Sequence, residues 1–575
     1  MNWKDEYQRW NSFEYLEASL KEKLVAIQDD EQSLEDAFYK NLEFGTGGMR
    51  GKLGPGTNRM NIYTIRRAAE GLAKYVISLG SDWAEKGVAV AYDSRYMSQE
   101  FSIEVARVLG THNIPTYVFS SLRPTPELSF AVRHLGAAAG VVITASHNPP
   151  EYNGFKVYNE DGGQMPPAQA ETLIRFVNDI ENELTVSVID QKEIEEKRLL
   201  RWMDEDVDAA YLQELKQIQL NEVTSSNMDA NLNIVFTPLH GTAKDLVEKG
   251  LKQIGLEQVH ILKEQAQPDP EFSTVASPNP EEHQAFELAI QKGTEVHADI
   301  LLGTDPDADR LGVAVPDENG NYTVLTGNQT GALMLDYILS QSNNVPDNGL
   351  LIKTIVTSEF GRVIANHYNI DTLDTLTGFK FIGEKIREYE QSGEFQFLFG
   401  YEESYGYLVK EFVRDKDAVQ AAVMAAEMAS YWKAQGKTLL QALDELYKRH
   451  GYFLEDLQSL TMEGKSGSEK INQIMDDFRS NPLSEAGGLQ VKAVEDYTSS
   501  VRTYLQEGTT EAIELPKANV LKFILEDDCW FCLRPSGTEP KIKFYYGVKS
   551  DQKADSEARL QSIREAVNDK FNPLI

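Results

Sequence analysis

Short apolar runs alternate with amphipathic stretches along most of the chain. The runs 86–92 ("KGVAVAY"), 115–121 ("PTYVFSS") and 137–144 ("AAAGVVIT") read as buried strands. Between them, 64–79 and 99–110 place apolar residues at helical spacing. The same alternation returns at 231–239, 257–262 and 298–304, and again at 349–356 and 395–402. Strands interleaved with helices predict α/β units with mixed or parallel sheets. Such sheets bind ligands beyond the carboxyl ends of their strands. From about 490 the pattern changes to closely spaced strands, closed by a helical stretch at 554–571.

The fold class read from this pattern is three similar α/β units plus a smaller C-terminal α+β domain. Trp3, Tyr7, Trp10, Leu16, Leu20 and Leu24 fall near helical spacing, so 1–40 is expected to be a helical arm. Polar, charged stretches at 190–208 and 461–470 read as boundaries, and 221–231 reads as a loop. The expected division is an arm (1–40) and domains at 41–205, 206–315, 316–460 and 461–575.

A length of 575 residues is too great for one core and agrees with several domains. The net charge of −34 argues against a nucleic-acid surface, which needs clustered Lys and Arg. An anionic ligand must therefore find a local island of donors. No apolar stretch approaches the roughly 18 residues of a membrane span, and the acidic N-terminus carries no apolar signal segment, so the cytoplasm is expected. Cys529 and Cys532 ("CWFC") lie in a strand–turn–strand pattern; a position and its i+3 neighbour face opposite sides of a strand, which argues against a redox pair.

Four motifs carry more chemistry than their turns require. In "TASHNPPEYNGFKVY" (144–158), Ser146 and His147 follow a buried strand. Ser146 is not in a G-x-S-x-G elbow. In "GTDPDADR" (303–310), Asp305, Asp307 and Asp309 alternate after another strand. Three carboxylates so close repel unless a cation lies among them, and hard oxygen ligands suit Mg²⁺. An EF-hand is excluded, because Arg310 and Pro316 stand where it needs Gly and Glu. In "GYEESYG" (400–406), Glu402, Glu403 and Ser404 follow a strand; the carboxylates could accept from vicinal sugar hydroxyls, and a helix N-terminus rich in Glu explains the stretch equally well. In "RPSGTEPK" (534–541), Arg534, Ser536, Gly537, Thr538 and Lys541 crowd one turn and could cradle a phosphate. The glycine-rich stretch 44–61 has the wrong spacing for a dinucleotide site; its Arg50 could face a phosphate.

These four motifs, in this order, resemble the signature loops of the α-D-phosphohexomutase superfamily across roughly residues 40 to 550. The resemblance implies four domains around a central cleft, each giving one loop. It implies a phosphoserine at Ser146, and Mg²⁺ held by that phosphate with Asp305, Asp307 and Asp309. His147 and Arg310 would lie beside the phosphoserine, and Glu402 and Ser404 on sugar hydroxyls. Arg534, Ser536, Gly537 and Thr538 would hold the phosphate that does not react. "TLTGFKF" (375–381), with Thr377, Gly378 and Lys380, looks like the sugar-recognition loop; "VRDKDAV" (413–419) resembles the Arg-x-Lys-Asp segment. Lys156 and Lys416 are the candidates for proton transfer.

The expected reaction interconverts glucose 1-phosphate and glucose 6-phosphate, with glucose 1,6-bisphosphate as intermediate and activator. The partner is a hexose phosphate, with no nucleic acid or membrane. After the third-domain strand, bacterial phosphomannomutase/phosphoglucomutases typically read G-E-M-S-G-H. This chain reads Tyr401-Glu402-Glu403-Ser404-Tyr405-Gly406 and lacks the histidine, as the similar Glu-Glu-Ser branch does, which favours glucose over mannose. Phosphomannomutase, phosphopentomutase and a Mg²⁺-dependent sugar-phosphate phosphatase are the alternatives.

Overall fold

Val88–Tyr92 and Ala139–Ile143 are buried at every position, as continuous apolar runs require of central strands. In the computed structural model they sit side by side in a six-stranded mixed sheet. Its order is Gly48–Lys52, Tyr152–Tyr158, Ala139–Ile143, Val88–Tyr92, Thr116–Phe119, Leu200–Met203. The inner and far strands are parallel, and the two pairings nearest Gly48–Lys52 are antiparallel. The structure describes residues 2–45, 47–222, 228–462, 464–536 and 541–575, with backbone alone at 464 and 465. Part of the expected loop 221–231 lies outside these residues.

The chain divides into two units: Met1–Thr330, Gln341–Gly349 and Gly378–Thr438 in one, and Gly331–Ser340, Leu350–Thr377 and Leu439–Ile575 in the other. The first unit holds the six-stranded sheet and a five-stranded mixed one. The second sheet runs Tyr322–Val324, Leu311–Pro316, Ile300–Thr304, Ile234–Thr237, Val259–Ile261. The same unit holds the hairpin Gln396–Glu402 with Gly406–Leu408 and the helix Ala418–Ala434. The expected arm is three helices, Trp3–Asn11, Ala18–Ala26 and Glu31–Phe38. Trp10, Leu20, Leu24 and Phe38 form one core with Tyr63 and Leu184. Trp10 Nε1 donates to Glu183 at 2.7 Å, so the indole is buried with its N–H satisfied.

In the second unit, Gly349–Thr354 pairs in parallel with Asp371–Thr375. An antiparallel sheet follows, ordered Tyr452–Thr461, Lys541–Ser550, Trp530–Pro535, Leu521–Leu525, Leu489–Asp496, Val501–Tyr504, Thr509–Ala512. The helix Lys553–Phe571 packs on it through Ile563, Val567 and Phe571.

Two expected boundaries carry regular structure instead. The stretch 190–208 contains the helix Gln191–Glu196 and the strand Leu200–Met203, which extends the first sheet. The C-terminal sheet begins at Tyr452, before the expected boundary at 461, because Tyr452–Thr461 pairs along its whole length with Lys541–Ser550. Helix Gly464–Ser480 then occupies the rest of the expected linker. Cys529 and Cys532 are both buried.

Candidate active site

Ser146 lies one turn beyond the central strand Ala139–Ile143, at φ 51°. That left-handed conformation is uncommon for a residue with a Cβ and is held here by its surroundings. The Ser146 N–H donates to Thr144 Oγ1 at 2.9 Å. The fully buried Arg95 side chain gathers the loop. Its guanidinium donates to the carbonyls of Ser146 (2.6 Å), Pro149 (2.8 Å) and Tyr152 (3.0 Å), and to that of Asn148. Asp93, equally buried, lies 3.4 Å from Arg95 Nε and takes the Arg95 N–H and the Ser98 hydroxyl on its other oxygen.

Replacing Arg95 with methionine should therefore leave Asp93 as an uncompensated buried charge. Breaking such a pair costs about 3–5 kcal/mol, read as a lowered urea midpoint; lysine, which keeps the charge, should recover part of it. A change of less than about 1 kcal/mol would show that Arg95 contributes no more than a surface ion pair.

The Ser146 hydroxyl donates to Asp305 Oδ2 at 2.6 Å and lies 3.2 Å from His147 Nδ1. Asp305 is the first residue after the buried strand Ile300–Thr304, and its other oxygen accepts from the N–H groups of Asp309 and Arg310, each at 3.0 Å. Asp305, Asp307 and Asp309 are all buried and offer three carboxylate oxygens within 4.8 Å of one another. Asp307 Oδ2 accepts from Lys156 Nζ (2.8 Å) and from Thr125 Oγ1 (3.0 Å). Lys416 Nζ lies 3.1 Å from Asp309 Oδ2, and Lys156 lies 3.5 Å from the same atom. Arg310 pairs with Glu281.

Charge and burial set the protonation states. Desolvation, then Asp307 and Asp309, push the Asp305 carboxyl well above the usual range. Desolvation alone would raise Asp307 too, but the Lys156 ammonium and hydrogen bonds outweigh it and hold it below the usual range. Burial would lower Lys156 and Lys416; the carboxylates of Asp307 and Asp309 outweigh it for Lys156, and Asp309 and Asp415 for Lys416, so both are raised and stand as ammonium ions. His147 is held well below the usual imidazole range by desolvation and by Arg310 and Arg50, and is neutral.

The acid cluster fits a hard divalent cation. The donors are all oxygen, and among the described residues Asp307 Oδ1 and Asp309 Oδ1 are buried without a hydrogen-bond partner.

The expected site residues gather unequally. Arg50 donates to Asn148 of the serine loop at 2.8 Å. It can do so because Gly48–Lys52 pairs with Tyr152–Tyr158, placing Arg50 opposite Gly154. A Cβ on Gly154 would meet the Thr144 carbonyl at 2.5 Å, so only glycine lets these strands close there. Glu402 ends its strand buried and accepts from the Gly378 N–H at 2.8 Å, joining the two expected sugar loops. Tyr405 beside Ser404 has φ 64°, and its carbonyl accepts from the Leu311 N–H at 3.0 Å, which ties this loop to the acid loop. Lys380 lies over the Phe381 ring. Thr377 falls in the second unit, as do Arg534, 3.5 Å from the Tyr545 hydroxyl, and Ser536, whose N–H donates to Lys541 O at 2.8 Å. Gly537 and Thr538 lie outside the described residues.

Sequence reasoning missed Thr125, Asp93, Arg95 and Glu281, which stand apart from every motif. It also missed Asp415, which accepts from Tyr158 (2.8 Å) and Gln164 (3.0 Å) beside Lys416. Asp415 lies inside a quoted motif, so a buried acid next to a buried lysine was the available signal.

Family models described as "Phosphoglucomutase/phosphomannomutase, alpha/beta/alpha domain" I, II and III match residues 41–184, 209–320 and 326–450, and the C-terminal domain of the same family matches 484–567. The chain belongs to the phosphoglucomutase/phosphomannomutase family. It is 41% identical over 528 residues to a phosphoglucomutase of Staphylococcus aureus strain RF122, covering 92% of this chain and 93% of that one. Against the protein of the same name in strain USA300 the identity is 40% over 536 residues, covering 93% and 95%. Two solved structures share the fold. A putative phosphomannomutase of Thermus thermophilus aligns at TM-score 0.67 and 22% identity, over 92% of this chain and 99% of that one. The pp63/parafusin phosphoglucomutase of Paramecium aligns at 0.69 and 16%, over 93% and 95%. Among the described residues no helix is long and apolar enough to cross a membrane.

Proposed function

We propose that this chain is a phosphoglucomutase that interconverts glucose 1-phosphate and glucose 6-phosphate through a phosphoserine at Ser146 and glucose 1,6-bisphosphate. The observation that carries the reading is the Ser146 hydroxyl, 2.6 Å from the first acid of a buried all-oxygen cluster. Asp305, Asp307 and Asp309 would hold Mg²⁺, which when bound withdraws charge from a phosphoryl group.

The chain's own residues supply the rest. In the first transfer the bond from phosphorus to Ser146 Oγ breaks and a bond to the free sugar hydroxyl oxygen forms. That hydroxyl loses its proton and Ser146 Oγ gains one, so the serine is freed as a hydroxyl. In the second, the bisphosphate presents its other phosphoryl: its bond to the sugar oxygen breaks as the bond to Ser146 Oγ re-forms. The proton given up by the serine hydroxyl is balanced by the one gained at that sugar oxygen. Lys156 and Lys416, as ammonium ions, suit charge neutralisation at the moving group rather than proton abstraction. Neutral His147 and the loop held by Arg95 keep Oγ aimed at the acid cluster, and Arg310 adds positive charge beside it. Arg50, Thr377, Gly378, Lys380, Glu402 and Ser404 are assigned to recognition of the sugar and its phosphates. Arg534, Ser536, Gly537 and Thr538 are assigned to the phosphate that stays in place, where a guanidinium fork suits a phosphate.

The test is a comparison of kcat/KM for glucose, mannose and ribose 1-phosphates. Glucose 1-phosphate should lead by roughly tenfold or more, because a site that hydrogen-bonds sugar hydroxyls penalises a displaced one. A mannose or pentose preference would refute the substrate assignment.

A further inference from the structure

The loop that follows the strand Ile234–Thr237 has no role in the reaction described so far. It runs Pro238, Leu239, His240, Gly241, Thr242, and its conformation is costly. Leu239 (φ 46°) and His240 (φ 63°) are consecutive left-handed residues, neither of them glycine. Such pairs persist only where the surroundings over-determine them.

The surroundings are specific. His240 is buried, with Nδ1 3.0 Å from Gln267 O and Nε2 2.7 Å from Thr274 Oγ1. Its N–H donates to Gln265 O at 2.9 Å. Gln265 is itself fixed, accepting from Thr237 Oγ1 at 2.6 Å and donating to Thr274 Oγ1 at 3.0 Å. The turn is therefore pinned from behind, and what it presents forward is Gly241 and Thr242.

Both meet Pro306, the residue between Asp305 and Asp307. The N–H and the hydroxyl of Thr242 both donate to the Pro306 carbonyl, at 2.9 and 3.0 Å. A Cβ on Gly241 would stand 2.4 Å from Pro306 Cα and 2.4 Å from its carbonyl oxygen. These are backbone atoms, which cannot swing aside as a side-chain end can. Proline has no N–H, so its carbonyl is the only backbone polar group by which Pro306 can be held.

We infer that Gly241 and Thr242 are positioning residues for the metal-binding acids, forming a brace that sets the spacing of Asp305 and Asp307 through Pro306. The inference rests on the reading of the Asp cluster as the metal site. Strain stored at Leu239 and His240 is what brings the brace within contact distance. Outer groups of this kind typically change metal affinity about 10–100-fold when altered.

The test measures Mn²⁺ affinity of the full chain by electron paramagnetic resonance, in the absence of substrate, with thermal melting of each variant alongside. Gly241→Ala should weaken Mn²⁺ binding by about tenfold or more. Thr242→Val, which loses one of two donors, should weaken it by about threefold, and Thr242→Ser should match the wild type. Gly110→Ala is the control, because its Cβ would crowd Ile194 and Ile189 side chains at 2.5 and 2.8 Å, away from the acids. It should melt earlier and bind Mn²⁺ as the wild type does. Wild-type affinity in a folded Gly241→Ala protein overturns the brace, as does an equal loss in Gly110→Ala. If Gly241→Ala does not fold, Thr242→Val decides: unchanged affinity overturns the inference and a loss restored by serine supports it. A wild type that binds no Mn²⁺ overturns the metal reading itself, and the brace with it.

Discussion

Ser146→Ala is expected to lose turnover on the order of a thousandfold or more, since the proposed covalent carrier is then gone. The protein should stay folded. Asp305 keeps two backbone donors on its other oxygen, and Arg95 holds the loop through carbonyls that alanine also carries. The nearest competing carrier is His147, which is neutral and 3.2 Å from the serine oxygen. An active alanine variant carrying an acid-labile phosphoryl group would shift the role to that imidazole. Coupled assay of glucose 6-phosphate formation, with circular dichroism on the same sample, separates loss of the carrier from loss of the fold.

Asp307→Asn should have the next largest effect, on two measurements at once. The side chain accepts from Lys156 and Thr125 through one oxygen and leaves the other for a cation. An amide keeps much of the shape and removes the charge. Metal affinity should fall with it, costing turnover roughly 3 kcal/mol or about a hundredfold. Stability should fall too, because Lys156 would be left with Asp309 alone, at 3.5 Å and already shared with Lys416. Breaking a buried pair costs about 3–5 kcal/mol, reduced here by relief of repulsion among the acids. Mn²⁺ titration and urea denaturation read the two losses separately. Unchanged metal dependence would remove Asp307 from the ligand set.

What the chain reveals before folding depends on how local the signal is. Ser146, the Asp305–Asp309 alternation and the Glu402 loop are contiguous, and each follows an apolar run long enough to read as a strand. Arg50 was legible as a phosphate-facing candidate, but not its bond to Asn148, which needs the pairing of Gly48–Lys52 with Tyr152–Tyr158. Thr125 and Glu281 lie far from their partners in sequence and carry no pattern of their own. Arg95 looks like any surface arginine until the loop closes around it. Tyr452–Thr461 was read with the wrong domain because only Phe453 is deeply buried, so alternation was too weak to mark a strand. Leu200–Met203 is short, with its two middle residues exposed, and reads as linker for the same reason.

A phosphoryl group carried on Ser146 can be read directly by mass. Purified protein treated with glucose 1,6-bisphosphate should gain a single phosphoryl by intact mass, and peptide mapping should place it on Ser146. That group should disappear on addition of excess glucose 1-phosphate as glucose 1,6-bisphosphate appears in solution. A wild-type chain that turns over substrate with no phosphoryl on Ser146, or with one elsewhere, would rule Ser146 out as the carrier.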